Sequence, residues 1–368
     1  MNVEEISKII ETWAPRWLAW ERDNVGLQVG DPSKKVSRIL VALDVTKAIV
    51  EEARKRKADL IVSHHPLFFR PPSSITASDD VGRVVLALVE KGIAVYSAHT
   101  NLDFTKDGVS FALARALGLS NIRFLAPLEN LLAKIVVFVP AKYAEKVSHA
   151  MSEAGAGVIG EYDHCSFRVP GSGTFRGSTA SRPFLGKAGR LETAEEIRLE
   201  MISPRANVSS VVESMKRVHP YDEVAYDVYP LDNPGVNFGS GAIGELAKVQ
   251  PLKSFVASVK RALRVPSLRV AGNMNVRVKK VALCGGSGSE LLSAARRANA
   301  DVFLTADVRY HTFHAAGGKL ALIDAGHWET ERVILEPLAE RLRQNALKAK
   351  EMVEVFVTKL STNPVQYV

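Results

Sequence analysis

The fold class follows from the stretch "RILVALDVTKAIVEEARKRKADLIVSHHP" at residues 38–66. Both ends are apolar runs with the composition of strands, and the middle has the composition of a helix. A strand, a helix and a second strand joined this closely predict two parallel strands. A strand normally runs into Gly, Asn, Asp or Ser, but this one runs into His64, His65 and Pro66. We therefore expect an α/β unit whose second strand ends in two imidazoles.

The same order of elements returns near the C-terminus. The strand-like "KKVALCGG" (279–286) is followed by a helical segment and by the strand-like "ADVFLTADVRYH" (300–311). This recurrence predicts an internal duplication. Open α/β sheets bind ligands at the carboxyl ends of their strands, and the second copy ends near Asp307 and His311. The predicted fold class is therefore α/β, with two similar halves facing one cleft.

The central segment has a different pattern. It contains the strand "AKIVVFVP" (133–140), two helical segments and further strands, and "HCSFRVPGSGTFRGS" (164–178) predicts a hairpin that turns at Gly-Ser-Gly. Two β-α-β units in tandem predict an inserted ferredoxin-like α+β domain. Pro127 and Pro234 mark its limits. The predicted domains are 1–127 together with 236–368, and an insert at 128–235.

Composition places the chain among globular proteins of two or three domains. It has 368 residues, of which 46% are hydrophobic and 24% charged. No secretory h-region and no apolar run of membrane-spanning length is found, so we expect a soluble, cytoplasmic protein that contacts no membrane. Only Cys165 and Cys284 are present, which excludes a disulfide framework and a four-cysteine zinc site.

The basic charge is uneven along the chain. The net charge is +8, yet residues 128–235 carry 12 Lys or Arg against 14 Asp or Glu, which leaves 36 against 26 for the flanking segments. This excess could draw a small anionic ligand towards the histidine-bearing segments, or serve solubility alone. Nucleic-acid binding would rest on charge alone, because no recognition motif accompanies it, so we do not expect it.

Six of the nine histidines fall in two groups along the chain. They are His64, His65 and His99 in the first half, and His311, His314 and His327 in the second. The others, His149, His164 and His219, read as ordinary helix, hairpin and loop residues. Grouping at strand ends, beside carboxylates, favours a shared metal site.

The spacing of these residues suggests how such a site is built. His327 and Glu331 are four residues apart, so they share one face if a helix begins at Gly326. At a strand end the adjacent His64 and His65 could address different ions. Asp103, in "SAHTNLD" (97–103), and Glu331 are the bridging candidates, because a carboxylate can offer one oxygen to each of two ions.

Two weaker motifs leave alternatives open. "GGSGSE" (285–290) could bind a phosphate through backbone N–H groups, or be a plain tight turn. Asp307 and His311 in "DVRYHTFH" could be supporting groups of the metal site or contact a substrate.

Several motifs together resemble one known family. They are "DNVGLQVGDP" (23–32), "LIVSHHPLFF" (60–69), "SAHTNLD" (97–103), "TADVRYH" (305–311), "DAGHWETE" (324–331) and "TNP" (362–364). The resemblance is to the Nif-three-like family, whose members carry the name GTP cyclohydrolase I type 2 homologue. It covers essentially the whole chain.

The resemblance implies a fold, a site and an assembly. The fold is two similar α/β halves around a dinuclear metal site, with a PII/CutA-like insertion, and the assembly is a toroidal homohexamer. The implied metal ligands are His64, His65, Asp103, His327 and Glu331, with His99 beside them. The cofactors would be two divalent metal ions, and this mixture of imidazole and carboxylate does not distinguish Zn, Fe, Mn, Co and Ni.

Two functions from different classes fit these features. One is a metal-dependent hydrolase of the GTP cyclohydrolase kind, acting on a nucleotide or other anionic substrate, in which His99 or His311 carries protons and Asp307 assists. The other is a non-catalytic metal-binding or regulatory protein whose insert binds a partner.

Overall fold

A computed structural model describes residues 1–160, 162–233, 237–316, 318 and 320–368. The chain forms two compact units: unit 1 is Met1–Ala126 with Asn237–Val368, and unit 2 is Pro127–Val236. Pro234, which marked the end of the predicted insert, lies outside the described residues.

The strands alternate with helices along most of the chain. The strands are β1 (Gly26–Val29), β2 (Arg38–Ala42), β3 (Leu60–Ser63), β4 (Ala94–Ser97), β5 (Ser120–Pro127), β6 (Leu132–Pro140), β7 (Phe167–Phe175), β8 (Glu192–Pro204), β9 (Tyr226–Leu231), β10 (Gly239–Pro251), β11 (Arg269–Ala271), β12 (Arg277–Ser287), β13 (Val302–Ala306), β14 (Ala321–Asp324) and β15 (Glu354–Val357).

The helices vary from one turn to nearly four. They are α1 (Val3–Trp13), α2 (Lys47–Arg56), α3 (Asp80–Lys91), α4 (Thr100–Asp103), α5 (Val109–Ala116), α6 (Ala144–Glu153), α7 (Val208–Val218), α8 (Leu252–Leu263), α9 (Leu292–Arg297), α10 (Tyr310–Ala316), α11 (His327–Glu331) and α12 (Leu335–Lys348). Short 3-10 turns lie at Arg16–Leu18, Ala141–Tyr143, Arg205–Asn207, Ser289–Leu291 and Arg332–Ile334.

The first helix, α1, begins at a capping residue. Asn2 accepts a hydrogen bond from the Glu5 backbone N–H, and Glu5 accepts one from the Asn2 N–H, each at 2.8 Å. This capping box satisfies two N–H groups that the first helical turn leaves without a partner. The apolar positions Ile6 and Ile10 are buried, which fixes the helix against the sheet.

The first sheet of unit 1 has the strand order β1-β4-β3-β2-β15. Strands β2 and β3 pair in parallel, as predicted, and β4 and β15 extend the parallel part. Every residue of β3 and β4 is buried, because helices cover both faces of this part of the sheet. One face packs on Ile6 of α1 and Leu338 of α12, and the other on Ile49 of α2.

The second sheet of unit 1 has the order β11-β14-β13-β12-β10-β5. Its centre, β12, β13 and β14, is parallel, so the segments 279–286 and 300–311 pair as the first strand–helix–strand segment does. Strand β10 runs antiparallel to β12, and β11 runs antiparallel to β14.

Unit 2 has its own sheet and its own core. The four strands lie in the antiparallel order β7-β8-β6-β9, and α6 and α7 pack on them through Val147, Leu199 and Val211. The chain as a whole is therefore a mixed α/β protein with several sheets.

The hairpin predicted at Gly-Ser-Gly is wrong. Residues Phe167–Phe175 form the single strand β7, in which Gly171, Ser172 and Gly173 pair with β8 without interruption. Strand β7 is an edge strand, where Gly and Pro170 are tolerated because only one side of the strand must supply ladder hydrogen bonds. The sequence signal for a turn was therefore an edge-strand signal.

Across the described residues, no helix is both long enough and apolar enough to cross a bilayer.

Candidate metal centre

The two adjacent histidines are fixed just beyond the end of β3. The backbone N–H groups of His64 and His65 donate to the carbonyls of Ala42 and Leu43, at 3.2 and 2.8 Å, so the parallel pairing with β2 continues past the strand. The hydroxyl of Ser63 donates to the carbonyl of His65 at 2.8 Å. The ring centroids of the two histidines are 5.1 Å apart.

Residues from two other strand ends join them. His99 follows β4, and Asp103 ends the short helix α4 that begins there. Helix α11, which comes after β14, runs from His327 to Glu331, so the predicted spacing of four residues is helical. The ring of His65 lies 5.5 Å from the ring of His327, which brings residues from both sheets of unit 1 together.

All four histidines have the same ring nitrogen engaged. Each Nδ1 lies within hydrogen-bonding distance of an oxygen: His64 with the Ala98 carbonyl (2.8 Å), His65 with Asp44 (2.6 Å), His99 with Asp23 (2.9 Å) and His327 with Asp307 (2.5 Å). Partners of this kind fix the tautomer and the ring orientation of metal-ligating histidines. Nε2 is left as the nitrogen that each ring presents to the cluster.

The Nε2 atoms of three of these rings lie close to carboxylates. His65 Nε2 is 2.9 Å and His327 Nε2 is 3.1 Å from different oxygens of Glu331. His64 Nε2 is 3.7 Å from Asp103 Oδ1 and 3.9 Å from Glu331 Oε1. The ligand-capable atoms of His64, His65 and His99 also lie within 4.8 Å of one another.

The distances from His64 Nε2 are too long for hydrogen bonds and suit a shared cation better, whereas those from His65 and His327 Nε2 suit either. Two ligand atoms each about 2.1 Å from one ion are about 3.0 Å apart at a right angle and about 3.4 Å apart at the tetrahedral angle. His64 Nε2 and Asp103 Oδ1 are both buried without a hydrogen-bond partner among the described residues. Buried polar atoms are rarely left so, which makes an ion the natural partner.

Burial and neighbouring charges shift the pKa values of the groups in this cluster. Burial lowers the pKa of His64 to about 3, so this ring is neutral. Burial would also lower the pKa of His65, but Asp44 and Glu331 outweigh it and raise that pKa to about 10. In the same way Glu331 and Asp307 overcome burial and raise the pKa of His327 to about 9.

The two carboxylates respond in opposite directions. Burial alone would raise the pKa of Glu331, but the close approach of His327 and His65 lowers it. Burial and the charge of Glu331 raise the pKa of Asp103 well above its ordinary value. Without a metal ion, protons on His65 and His327 therefore balance the buried charge of Glu331. A cation would take their place.

Comparison with known proteins gives the chain its family. Residues 1–364 match the family described as Duf34/NIF3 (NGG1p interacting factor 3). The chain belongs to the Duf34/NIF3 family.

Relatives in this family match the chain over its full length. The "GTP cyclohydrolase 1 type 2 homolog" of Halalkalibacterium halodurans is 40% identical over 369 residues, which cover 100% of this chain and 99% of the relative. The Bacillus subtilis protein of the same name is 38% identical over 366 residues, or 99% of this chain and 98% of the relative. The crystal structure of a Bacillus cereus protein related to NIF3 superposes with a TM-score of 0.84 at 40% identity, covering 100% and 99% of the two chains.

In this family member the start of "GGSGSE" lies against the centre. The N–H groups of Gly285 and Gly286 donate internally, to the hydroxyls of Ser110 and Thr330 at 3.3 and 2.9 Å. A Cβ on Gly286, whose φ is +62°, would overlap Glu331 Oε1 and lie 3.2 Å from His327 Nε2. Neither predicted alternative, phosphate loop or plain turn, anticipates this contact with Glu331. Gly286 lets the carboxylate approach.

Of the remaining candidates in the second half of the chain, Asp307 contacts the centre, whereas His311 and His314 do not contact its described residues. Asp307, with φ +52°, accepts the hydrogen bond of His327 Nδ1, which makes it a positioning residue for that ring. His311 and His314 are exposed on α10, where both rings pack against Tyr310. Within the described part of the chain, no hydrogen bond or ring contact joins His311 to the centre.

Two functional residues escaped the sequence analysis. Asp44 follows β2 and orients His65, and Asp23 lies before β1 and orients His99. The position of Asp44 beyond a buried strand is a signal that could have been used, because it lies at the same strand-end edge as His64 and His65. Asp23 begins the motif "DNVGLQVGDP" (23–32), but nothing in that motif points to His99.

A cavity of about 740 Å³ opens beside the centre. His65 and His327 line one side, and Trp328, Tyr367 and Arg269 line others. It is therefore large enough for a small organic molecule next to the candidate metal ligands.

Proposed function

We propose that this chain is a dinuclear-metal-dependent hydrolase, of the kind that its relatives' name suggests, acting on a nucleotide or another small anionic substrate. One observation carries the proposal. Four imidazoles, each held at Nδ1 by an oxygen, gather around two carboxylates, and the buried atoms His64 Nε2 and Asp103 Oδ1 have no hydrogen-bond partner among the described residues.

The proposed ligands divide between two divalent ions. His64 and Asp103 would hold one ion, and His65 and His327 would hold the other. Glu331 would bridge the two ions, because its two oxygens already approach different histidines. When bound, such a pair supplies an activated water and neutralises charge on the attacked group. The donor set fits Zn, Fe, Mn, Co or Ni.

His99 is the proposed proton carrier. Its Nδ1 is held by both oxygens of Asp23, at 2.9 and 3.0 Å, so Nε2 is where the ring would take up or release a proton. The side chain is 19% exposed, which lets it contact a bound molecule. We leave His311 out of the proposed chemistry, because it is exposed on α10 and packs against Tyr310.

The cavity beside the centre would hold the substrate. Arg269 lies in its lining beside Asp324, with which it pairs, and its side chain is 63% exposed. Trp328 and Tyr367 offer flat apolar surface for a heterocycle. An anionic group would meet Arg269, and the reacting part would lie against His65 and His327.

The test is turnover by metal-loaded protein. GTP is the first substrate to try, and formate release is the readout. The wild-type chain should release formate, whereas His64→Ala and Glu331→Ala should not, and the matched exposed variant His311→Ala should behave as wild type. Equal rates in wild type and Glu331→Ala would overturn catalysis at this centre.

The second candidate is a non-catalytic metal-binding or regulatory protein. Unit 2 favours it, because this part of the chain has its own core and could act as a separate partner-binding module. Dialysis against a mild chelator separates the roles that ions could then have. Cargo ions leave without loss of the assembly, whereas structural ions take the assembly with them.

The larger architecture is part of the same proposal. We take unit 1 as two similar α/β halves around one metal site, and residues 128–235 as an inserted ferredoxin-like, PII/CutA-like domain. The assembly would be a toroidal homohexamer, which sedimentation at several concentrations tests. The proposed location is the cytoplasm, which suits a chain whose cysteines are free thiols.

A further inference from the structure

A second cluster of metal-capable side chains lies on unit 2. Helix α6 places His149 and Glu153 one turn apart on the same face. His164, eleven residues beyond Glu153 in the sequence, returns to this face, and its ring lies 5.8 Å from that of His149 with 25° between their planes. All three side chains are exposed, so an ion from solution could reach them.

The backbone holds His164 in this position. The Cys165 N–H donates to the Gly157 carbonyl at 2.8 Å, and the Gly157 N–H donates to the Ile202 carbonyl of β8 at 2.7 Å. His164 itself has the left-handed φ of +52°, a conformation uncommon for non-glycine residues in which His is among the enriched types. The imidazole is thus presented to α6 by a segment tied to the sheet.

The local charge suits a cation. Asp163 Oδ1 lies 3.3 Å from His164 Nδ1, and Glu153 forms no ion pair within the described ranges. The nearby Arg168 is engaged with Glu145 at 2.6 Å. Glu153 therefore leaves a negative charge beside two imidazoles.

We propose that His149, Glu153 and His164 form a separate binding site for a divalent transition-metal ion on unit 2. One potential ligand atom from each residue lies within 4.8 Å of the others. Binding would draw them to about 3.0–3.4 Å, a movement that exposed side chains can make by changing rotamer. Two imidazoles and one carboxylate select Zn, Co, Ni or Cu over Mg and Ca.

The proposed site would exchange its ion readily with solution. Three protein ligands leave at least one coordination position to water, and the exposed surroundings do not trap the ion. A bound ion would hold the segment around His164 against α6. The rigidity of this part of unit 2 would then depend on metal. This inference does not rest on the proposed hydrolase function, because none of its residues belongs to the centre in unit 1.

Zinc titration of the full-length chain tests the site. Zn²⁺ binding would be counted by calorimetry in wild type, in the double variant H149Q/H164Q and in the matched control H311Q/H314Q, which removes two exposed histidines of α10 in unit 1. The H149Q/H164Q chain should lose one equivalent, and the control should lose none. Unchanged stoichiometry and affinity in H149Q/H164Q would overturn the site.

Hydrogen exchange supplies a local readout on unit 2. With Zn²⁺, peptides covering residues 144–153 and 162–170 should exchange more slowly in wild type and at an unchanged rate in H149Q/H164Q. Because the replaced side chains are exposed, both variants should fold, and equal exchange of the remaining peptides verifies this. Zinc-independent exchange of these two peptides in wild type would refute a metal-dependent link between the His164 segment and α6.

Discussion

His65 and His327 are the residues that hold protons where a cation would bind. Their pKa values, about 10 and 9, lie above neutrality because Glu331 lies between them, with Asp44 and Asp307 on their far sides. A metal ligand must be a neutral imidazole, so binding expels one proton from each ring. At pH 7 we expect two or more protons to be released when the centre fills.

This proton release sets the pH dependence of metal affinity. Both rings are protonated in the metal-free chain up to about pH 9, so affinity should fall as pH decreases and rise as it increases. The slope between pH 6 and 8 should be about tenfold per pH unit for each proton released. Calorimetry in buffers of different ionisation enthalpy counts the protons, and an affinity independent of pH would contradict this charge balance.

Asp44 orients His65 from the far side of the ring. Replacing it in Asp44→Ala frees Nδ1 and should weaken metal binding by about 10- to 100-fold, the usual cost of losing such a partner. Competition with a chromophoric chelator measures the change. Asp44 also accepts a hydrogen bond from the hydroxyl of Thr362, so Thr362→Val is the matched control and should bind metal as wild type does. If both variants lose equal affinity, the effect comes from the packing around Asp44 and not from His65.

At the scale of elements, the end of β12 is shaped by the centre. Gly286 has φ +62° and no room for a Cβ beside Glu331 and His327, whereas Gly118, after α5, has φ +71° and open space around it. Gly118→Ala should cost about 1–2 kcal/mol of unfolding free energy through backbone strain alone. Gly286→Ala carries the same strain and also displaces the Glu331 carboxylate.

The pair of variants therefore distinguishes backbone strain from displacement of the Glu331 carboxylate. We expect Gly118→Ala to keep its metal, and Gly286→Ala to bind metal more than about tenfold more weakly. Chelator competition and chemical denaturation measure the two quantities. Equal metal affinity in the two variants would show that Glu331 moves aside without loss.

The sequence predicts most elements of unit 1 because their patterns are local. The apolar runs at 38–45 and 58–65 and the capping residue Asn2 are each read from a few neighbouring residues, and β2, β3 and α1 form there. Parallel pairing then places their carboxyl ends at one edge, which explains why His64 and His65 could be expected near a site. The bounds differ by a few residues, as at β3, which ends before the histidines.

What the sequence leaves out depends on tertiary approach. Asp23 contacts His99 across 76 residues of chain, and no spacing rule connects them. Gly286 reads as part of a turn or phosphate loop until Glu331 is seen against it. At Gly171–Gly173 the composition alone does not distinguish a turn from an edge strand, and pairing with β8 holds the segment extended.

At the scale of the whole molecule, the chain leaves unit 1 and returns to it at neighbouring points of one sheet. Strand β5 ends at Pro127 beside β10, which begins at Gly239, and a Cβ on Gly239 would lie 2.8 Å from the Ala126 carbonyl. The two chain ends of unit 1 are thus adjacent in its sheet. Insertions are tolerated best where the ends that they separate are close together.

We therefore expect unit 1 to fold without unit 2. Replacing residues 128–235 by four Gly and Ser residues leaves a linker with a root-mean-square span of about 11 Å, ample for ends that already touch. The shortened chain should bind metal at the unit 1 centre as the full chain does, because all its proposed ligands belong to unit 1. It should lack the zinc equivalent assigned to His149, Glu153 and His164. Circular dichroism and calorimetric zinc titration measure both properties. A folded but metal-free product would mean that the centre depends on unit 2, and an unfolded product would mean that the two units are a single cooperative structure.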